Sequence, residues 1–239
     1  MDIMLVLLTI GIFTGFFVQT ITGFAGALIA LPFLLFVMPL PDAIGYLSIF
    51  YMISTPFHVY KEWKYIDKSL LKKLAVSSFF GLSIGIVVLA YGQPIFLKKA
   101  LGIFIILFVL HSLKAKKEIQ LFSKMKFFFG FLGGFFSGVF STGGPLYLVI
   151  VKNETADVKT LRATMFGVLG LITLMRIPVL AFEGILTVNQ LYNSLYVLPF
   201  FILALVLGKK VYLKLNDILL KRIMLGLLFL SGIVLLIKN

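Results

Sequence analysis

Apolar stretches long enough to cross a lipid bilayer recur along the whole chain, and they constrain its fold more than any other feature. A helix needs about 20 residues to span the roughly 30 Å of hydrocarbon in a membrane. Hydrophobic residues make up 61% of the 239 residues and charged residues only 13%, so the chain cannot cover a soluble core with polar surface. We therefore predict an all-α, polytopic membrane protein that forms a single transmembrane domain over residues 1–239.

Charged residues, prolines and glycines divide the chain into eight hydrophobic segments, at about 3–38, 43–58, 74–92, 95–113, 127–151, 163–182, 187–208 and 216–237. The first segment is too long for one crossing. The fifth contains STGGPLYLVI at 141–150, where a serine, a threonine, two glycines and a proline interrupt apolar sequence. Both segments are therefore predicted to be broken.

The two halves of the chain resemble each other at a shift of about 118 residues. GFAGALIALP at 23–32 falls on STGGPLYLVI, and AIGYLS at 43–48 falls on LRATMF at 161–166. The matches are short but occur in the same order. They indicate a duplicated four-segment unit, with repeat 1 at about 1–113, a basic linker at 114–126 and repeat 2 at about 127–239.

Lysine and arginine clusters indicate how the chain is oriented. They lie in the linkers 61–73, 114–126 and 209–214, which the positive-inside rule places in the cytoplasm. Eight full crossings would put the first and third of these linkers on opposite faces. The conflict disappears if segment 5 is re-entrant, because one crossing fewer then separates the two linkers. If segment 1 is re-entrant as well, each half has three crossings and the halves are inverted repeats, a transporter architecture. Lys98 and Lys99 would be external, which counts against this arrangement, and eight full spans remain the alternative.

The broken segments contain residue types that suit an anion site. In segment 5, Gly143 and Gly144 permit close approach of the main chain to a ligand, and Pro145 suits the first turn of a helix. The free N–H groups of that turn carry the positive end of the helix dipole, and the hydroxyls of Ser141 and Thr142 add donors. Two such helix starts, entering from opposite faces, would meet near the midplane.

In segment 1, Gly26 and Ala27 occupy the positions of Gly144 and Pro145, and Gln19, Thr20 and Thr22 precede them. The alternative is that small residues only let membrane helices pack closely. That interpretation is preferred for Gly11, Gly15, Gly81, Gly85, Gly130, Gly133 and Gly134.

Arg176 is the charged residue that lies well inside an apolar segment, and its counterpart at the 118-residue shift is His58. Charge inside a membrane segment marks a functional site by default, and two such donors would suit an anionic substrate. The alternative is that both side chains snorkel to the membrane surfaces.

Several kinds of chemistry are excluded by what the sequence lacks. It has no cysteine and only two histidines, so thiolate metal sites, iron–sulfur clusters and haem relays are not expected, and no cofactor is predicted. No carboxylate lies deep inside a segment, and no Walker motif is present. The net charge of +13 is distributed as a topology signal, so nucleic-acid binding is not expected.

These residues resemble the sulfite exporter TauE/SafE family, a widespread set of prokaryotic membrane proteins. The resemblance rests on TGFAGALIALP near the start, GGFFSGVFSTGGPLYLVI after the basic linker, and LRATMF in the next helix. It implies a multi-pass protein of a prokaryotic cell membrane that transports sulfite or organosulfur anions. It also implies that Gly23, Gly26, Gly143 and Gly144 line the central turns.

The leading hypothesis is a permease for a small anion such as sulfite, thiosulfate or an organosulfonate, held between two half-helix N-termini. Its partners would be that anion and the lipid bilayer, and a homo-oligomer is left open. A second hypothesis is a non-transporting membrane scaffold or assembly factor. An intramembrane enzyme is disfavoured, because the acids, bases and metal ligands that it would need are missing.

Overall fold

The structure is a computed structural model that describes residues 3–114, 125–155 and 157–212, together with eight residues between 225 and 237. Within these ranges the chain is helical and contains no strand. The helices are α1 (Ile3–Thr22), α2 (Gly26–Leu34), α3 (Leu40–Glu62), α4 (Lys68–Tyr91), α5 (Pro94–Lys114), α6 (Lys126–Phe140), α7 (Gly144–Glu154), α8 (Val158–Phe182) and α9 (Val188–Tyr212), with a short 3-10 turn at Trp63–Tyr65.

Among the described residues, four helices are long and apolar enough to span a membrane, namely α1, α4, α8 and α9. The eighth predicted segment, 216–237, lies mostly outside the described residues. Those of its residues that are described are helical, and Gly232 and Leu236 pack on α5, where a methyl group on Gly102 would lie 3.0 Å from Leu236.

The first predicted segment folds as a helical hairpin. Helix α1 ends at Thr22 and α2 begins at Gly26, so the chain breaks within the glycine-rich motif as expected. A methyl group on Gly15 would lie 2.6 Å from the carbonyl oxygen of Gly26, and one on Gly11 would lie 3.1 Å from Phe33. Since earlier residues of α1 contact later residues of α2, the two helices are antiparallel.

The fifth predicted segment is also a hairpin. Helix α6 ends at Phe140 and α7 begins at Gly144, so Pro145 occupies the first turn as predicted. Gly143 contacts Ser137, whereas Tyr147, one turn later, packs its ring against Gly133. Helix α7 therefore runs back along α6.

Each hairpin packs against a helix from the other half of the chain. The first helix of one hairpin, α1, lies along α9, where Phe16 and Phe201 have ring centroids 5.1 Å apart. The first helix of the other hairpin, α6, lies along α4, where Gly81 and Gly85 contact the backbone of successive α6 turns. A side chain at Gly81, Gly85 or Gly134 would overlap the backbone of the neighbouring helix, and one at Gly130 would overlap the Ser77 side chain, so the glycines of this interface have the packing role assigned to them.

The turn after α3 and the start of α8 lie at the same end of the molecule. Thr164 accepts a hydrogen bond from the Asp67 amide at 3.0 Å, and the Lys159 ammonium lies 3.6 Å from the Tyr65 ring centroid. Glu62 and Arg162 form an ion pair at the same place. This end of the bundle therefore combines the linker after α3 with the linker after α7.

Candidate functional site

The first turn, residues 23–25 between α1 and α2, touches the second turn, residues 141–143 between α6 and α7. A methyl group on Gly144 would lie 2.9 Å from the carbonyl oxygen of Phe24, which follows the end of α1. Both turns use left-handed backbone, with φ of 88° at Gly23 and 55° at Ser141. Gly23 adopts this conformation without strain, whereas serine adopts it only where its surroundings hold it in place.

Arg176 holds the second turn from the side of α8. Its guanidinium donates hydrogen bonds to the Ser141 hydroxyl and, at 3.3 Å, to the carbonyl oxygen of Ser137. It also lies 5.3 Å from the centroid of the Tyr51 ring. Only 2% of the residue is exposed, so the alternative that Arg176 snorkels to the membrane surface is wrong.

The charge of Arg176 is not neutralised by a carboxylate from the described residues. Its Nε atom is buried without a hydrogen-bond partner among them. The same is true of the Thr142 hydroxyl, two residues before the start of α7. The second turn therefore combines a buried cation with unused hydrogen-bonding capacity.

The N-terminus of α7 faces this turn. The amides of Leu146 and Tyr147 donate to the carbonyl oxygen of Gly143, at 3.1 and 3.2 Å, and Pro145 has no N–H group. The amides of Gly143 and Gly144 precede these and lie at the positive end of the helix dipole.

The N-terminus of α2 differs because the protein itself contributes its hydrogen-bond partners. The Ala27 amide donates to the Tyr51 hydroxyl at 3.0 Å. The Thr22 hydroxyl oxygen accepts from the amides of Ala25 and Phe24, at 3.4 and 3.5 Å. The two turns thus have similar backbone conformations, but they differ in the hydrogen-bond partners of the helix N-termini that follow them.

The other site residues predicted in the first half of the chain, Gln19, Thr20 and Thr22, lie near the first turn but make different contacts. Gln19 is buried, contacts Gly26, and has a side-chain oxygen without a hydrogen-bond partner among the described residues. The Thr20 hydroxyl donates to the Phe16 carbonyl oxygen at 2.7 Å, and that of Thr22 donates to Val18 at 3.0 Å. Both hydroxyls thus use their proton within α1.

His58 does not occupy a position equivalent to that of Arg176. Its ring lies face to face with Phe166, with centroids 4.1 Å apart. The cation that contacts the first turn is Arg162, which donates to the Thr20 carbonyl oxygen at 2.7 Å and pairs with Glu62.

Four residues of this region were not predicted as site residues: Tyr51, Glu62, Ser137 and Arg162. Glu62 lies in the basic linker 61–73, which was assigned to topology, and Arg162 lies in LRATMF, which was used only as a repeat motif. Tyr51 and Ser137 lie in apolar helices, and only their contacts distinguish them.

Comparison with known proteins gives one family. A family model described as Sulfite exporter TauE/SafE matches residues 7–235, which is nearly the whole chain. No curated protein and no solved structure gives a significant match. The match confirms the resemblance found in the motifs. It also confirms that this is an integral, multi-pass membrane protein of a transporter family and not an enzyme.

Proposed function

Because this chain belongs to the sulfite exporter TauE/SafE family, we propose that it is a permease for a small sulfur oxyanion, namely sulfite, thiosulfate or an organosulfonate. The anion binds at the second turn, where that turn meets the first. It passes from one side of the membrane to the other as the two halves of the molecule move relative to each other.

The observation that carries this proposal is the uncompensated charge of Arg176. An isolated charge in a membrane interior costs several kcal/mol, so intramembrane arginines pair with an acid, donate to backbone carbonyls or mark a substrate pathway. No described carboxylate pairs with Arg176. A transported anion supplies the missing negative charge.

The donors around Arg176 suit an anion with several oxygens. The guanidinium presents a planar set of N–H groups and contacts the Ser141 hydroxyl, and Thr142, with a second hydroxyl, is the next residue in the chain. The amides of Gly143 and Gly144 add the helix N-terminus, which favours negative charge. Hydrogen bonds between such donors and a charged oxygen are stronger than those between neutral groups.

The packing of the hairpins supports inverted repeats. The first helix of each hairpin contacts a helix of the other half, and in both cases the two helices run parallel. A two-fold relation between the halves requires that both pairs have the same relative direction. The contacts between the linkers after α3 and after α7 support re-entrant hairpins. Eight full crossings would place those linkers on opposite faces of the membrane.

The test is counterflow of labelled sulfite in proteoliposomes, comparing the unmutated chain with Arg176→Gln and Arg176→Lys. We expect Arg176→Gln to abolish counterflow, and Arg176→Lys to retain a small part of it, because lysine keeps the charge but not the fork geometry. Equal rates for all three would contradict a role of Arg176 in transport.

Ligand-dependent stability separates a permease from a scaffold. Sulfite at 100 times its dissociation constant should stabilise a binding protein by about 2.7 kcal/mol. A scaffold should show no shift in its thermal unfolding with sulfite, thiosulfate or taurine. Arg176→Gln serves as the non-binding control in the same measurement.

A further inference from the structure

We propose that Arg162 is a second anion-binding residue and that Glu62 is its resident counter-ion, which the anion displaces on its way between the turns and one membrane surface. This inference rests on the proposed function, because it concerns the same substrate at a later point on its path. It assigns a role to the one described carboxylate that pairs with a buried arginine.

The positions of the two arginines on α8 support this. Arg162 and Arg176 are 14 residues apart, which corresponds to about 21 Å along the axis and a rotation of about 40°, so they lie on nearly the same helix face. Each guanidinium holds the turn of one hairpin. Arg176 donates to Ser141, and Arg162 donates to the carbonyl oxygen of Thr20. Arg162 is therefore the next cation after Arg176 along this face of α8.

The ion pair between Arg162 and Glu62 is incomplete. One guanidinium nitrogen of Arg162 contacts one carboxylate oxygen, Oε1 of Glu62. The Arg162 Nε atom and the second carboxylate oxygen are both buried and lack hydrogen-bond partners among the described residues. A permanent structural pair of this type is normally bidentate and satisfies both groups. The unused donor gives an incoming oxyanion a hydrogen bond that Glu62 does not make.

The surroundings hold Arg162 in place when Glu62 leaves. Its guanidinium carbon lies 4.2 Å from the Tyr212 ring centroid and 4.9 Å from that of Phe166. Stacking on two rings and the bond to Thr20 do not depend on the carboxylate. Lys61, next to Glu62 in the chain, keeps the local charge positive and favours anions.

Binding stoichiometry tests the proposal directly. Isothermal titration calorimetry with sulfite should give one site in the unmutated chain, because the tethered Glu62 competes at an effective concentration on the order of millimolar. Glu62→Gln removes the competing charge and should bind two sulfites. The double variant Glu62→Gln with Arg162→Gln should return to one. A single site in Glu62→Gln, with unchanged counterflow, would overturn the proposal.

A second measurement needs no substitution. Trp63 is the single tryptophan of the chain and follows Glu62 directly, and 51% of its surface is exposed. Displacement of Glu62 should change the Trp63 emission in the millimolar range of sulfite, above the range that saturates the Arg176 site. Constant emission across that range would count against displacement even if Glu62→Gln does not fold.

The two failures are distinguishable. If the unmutated chain binds no sulfite and Arg176→Gln behaves identically, the proposed function fails. If the unmutated chain binds one sulfite through Arg176 but neither Glu62→Gln nor Trp63 responds, only the second site fails.

Discussion

Arg176 and Thr142 have in common that the fold leaves part of their hydrogen-bonding capacity unused. A buried polar atom without a partner costs free energy, and native proteins contain few of them. One such atom is the hydroxyl oxygen of Thr142 in the second turn, and another is Nε of Arg176, which contacts that turn. Stability alone gives no reason for this arrangement, whereas an anion would satisfy both groups at once.

At the residue scale we predict that Thr142→Val separates binding from stability. Valine matches the shape of threonine but lacks its hydroxyl, which has no described partner. The free energy of unfolding should stay constant or rise slightly. The affinity for sulfite should fall about 10- to 100-fold, since a hydrogen bond to a charged group contributes about 1.5–3 kcal/mol. Calorimetry and thermal unfolding measure the two effects.

Thr173→Val is the matched control. Its hydroxyl is also buried but donates to the Leu169 carbonyl oxygen at 2.7 Å, within α8. We expect unchanged sulfite affinity. A Thr142→Val variant that binds sulfite as tightly as this control would exclude the Thr142 hydroxyl from the site.

The two hairpins depend on glycine at the positions where backbones meet. In a membrane, irregular backbone persists only where it is buried in protein or lines a polar cavity. Each turn here satisfies that condition by resting against the other, with Gly144 at the contact. The element that carries the candidate site is therefore the pair of turns and not either helix by itself.

At the element scale we predict that Gly144→Ala reduces counterflow of labelled sulfite at least about tenfold, with a loss of stability of about 1–3 kcal/mol. Its methyl group would lie 2.9 Å from the Phe24 carbonyl oxygen, so the two turns must separate. Counterflow is normalised to the amount of folded protein. Gly226→Ala is the control, because a methyl group there has no described atom within 4 Å. Equal rates for both variants would remove the contact between the turns from the mechanism.

At the scale of the whole molecule, the hairpins interlock the two halves. Helix α1 packs along α9 and α6 packs along α4, so neither hairpin is buried mainly by its own half. Relative motion of the halves would then change the contact between the turns. This links the proposed transport cycle to the place where the anion binds.

The topology can be tested in this chain because it contains no cysteine. We predict that Lys64→Cys and Val158→Cys react with a membrane-impermeant maleimide from the same face, and that Val188→Cys reacts from the opposite face. All three residues are exposed, and the first two belong to the end where the linkers after α3 and α7 meet. Labelling of Lys64→Cys and Val158→Cys from opposite faces would favour eight full crossings.

The helical membrane class, the two breaks and the family could all be predicted from the amino-acid sequence. Each depends on local properties: apolar length gives the spans, and glycines with Pro145 give the turns. The family match extends over residues 7–235.

The groups that face each other across the fold could not be predicted in this way. Arg162 pairs with Glu62 at a separation of 100 residues, and Arg176 reaches Ser141 across 35. No local pattern encodes such pairs, because they arise when distant helices pack. For the same reason His58 matched Arg176 in the sequence shift, yet in the fold the first turn is held by Arg162.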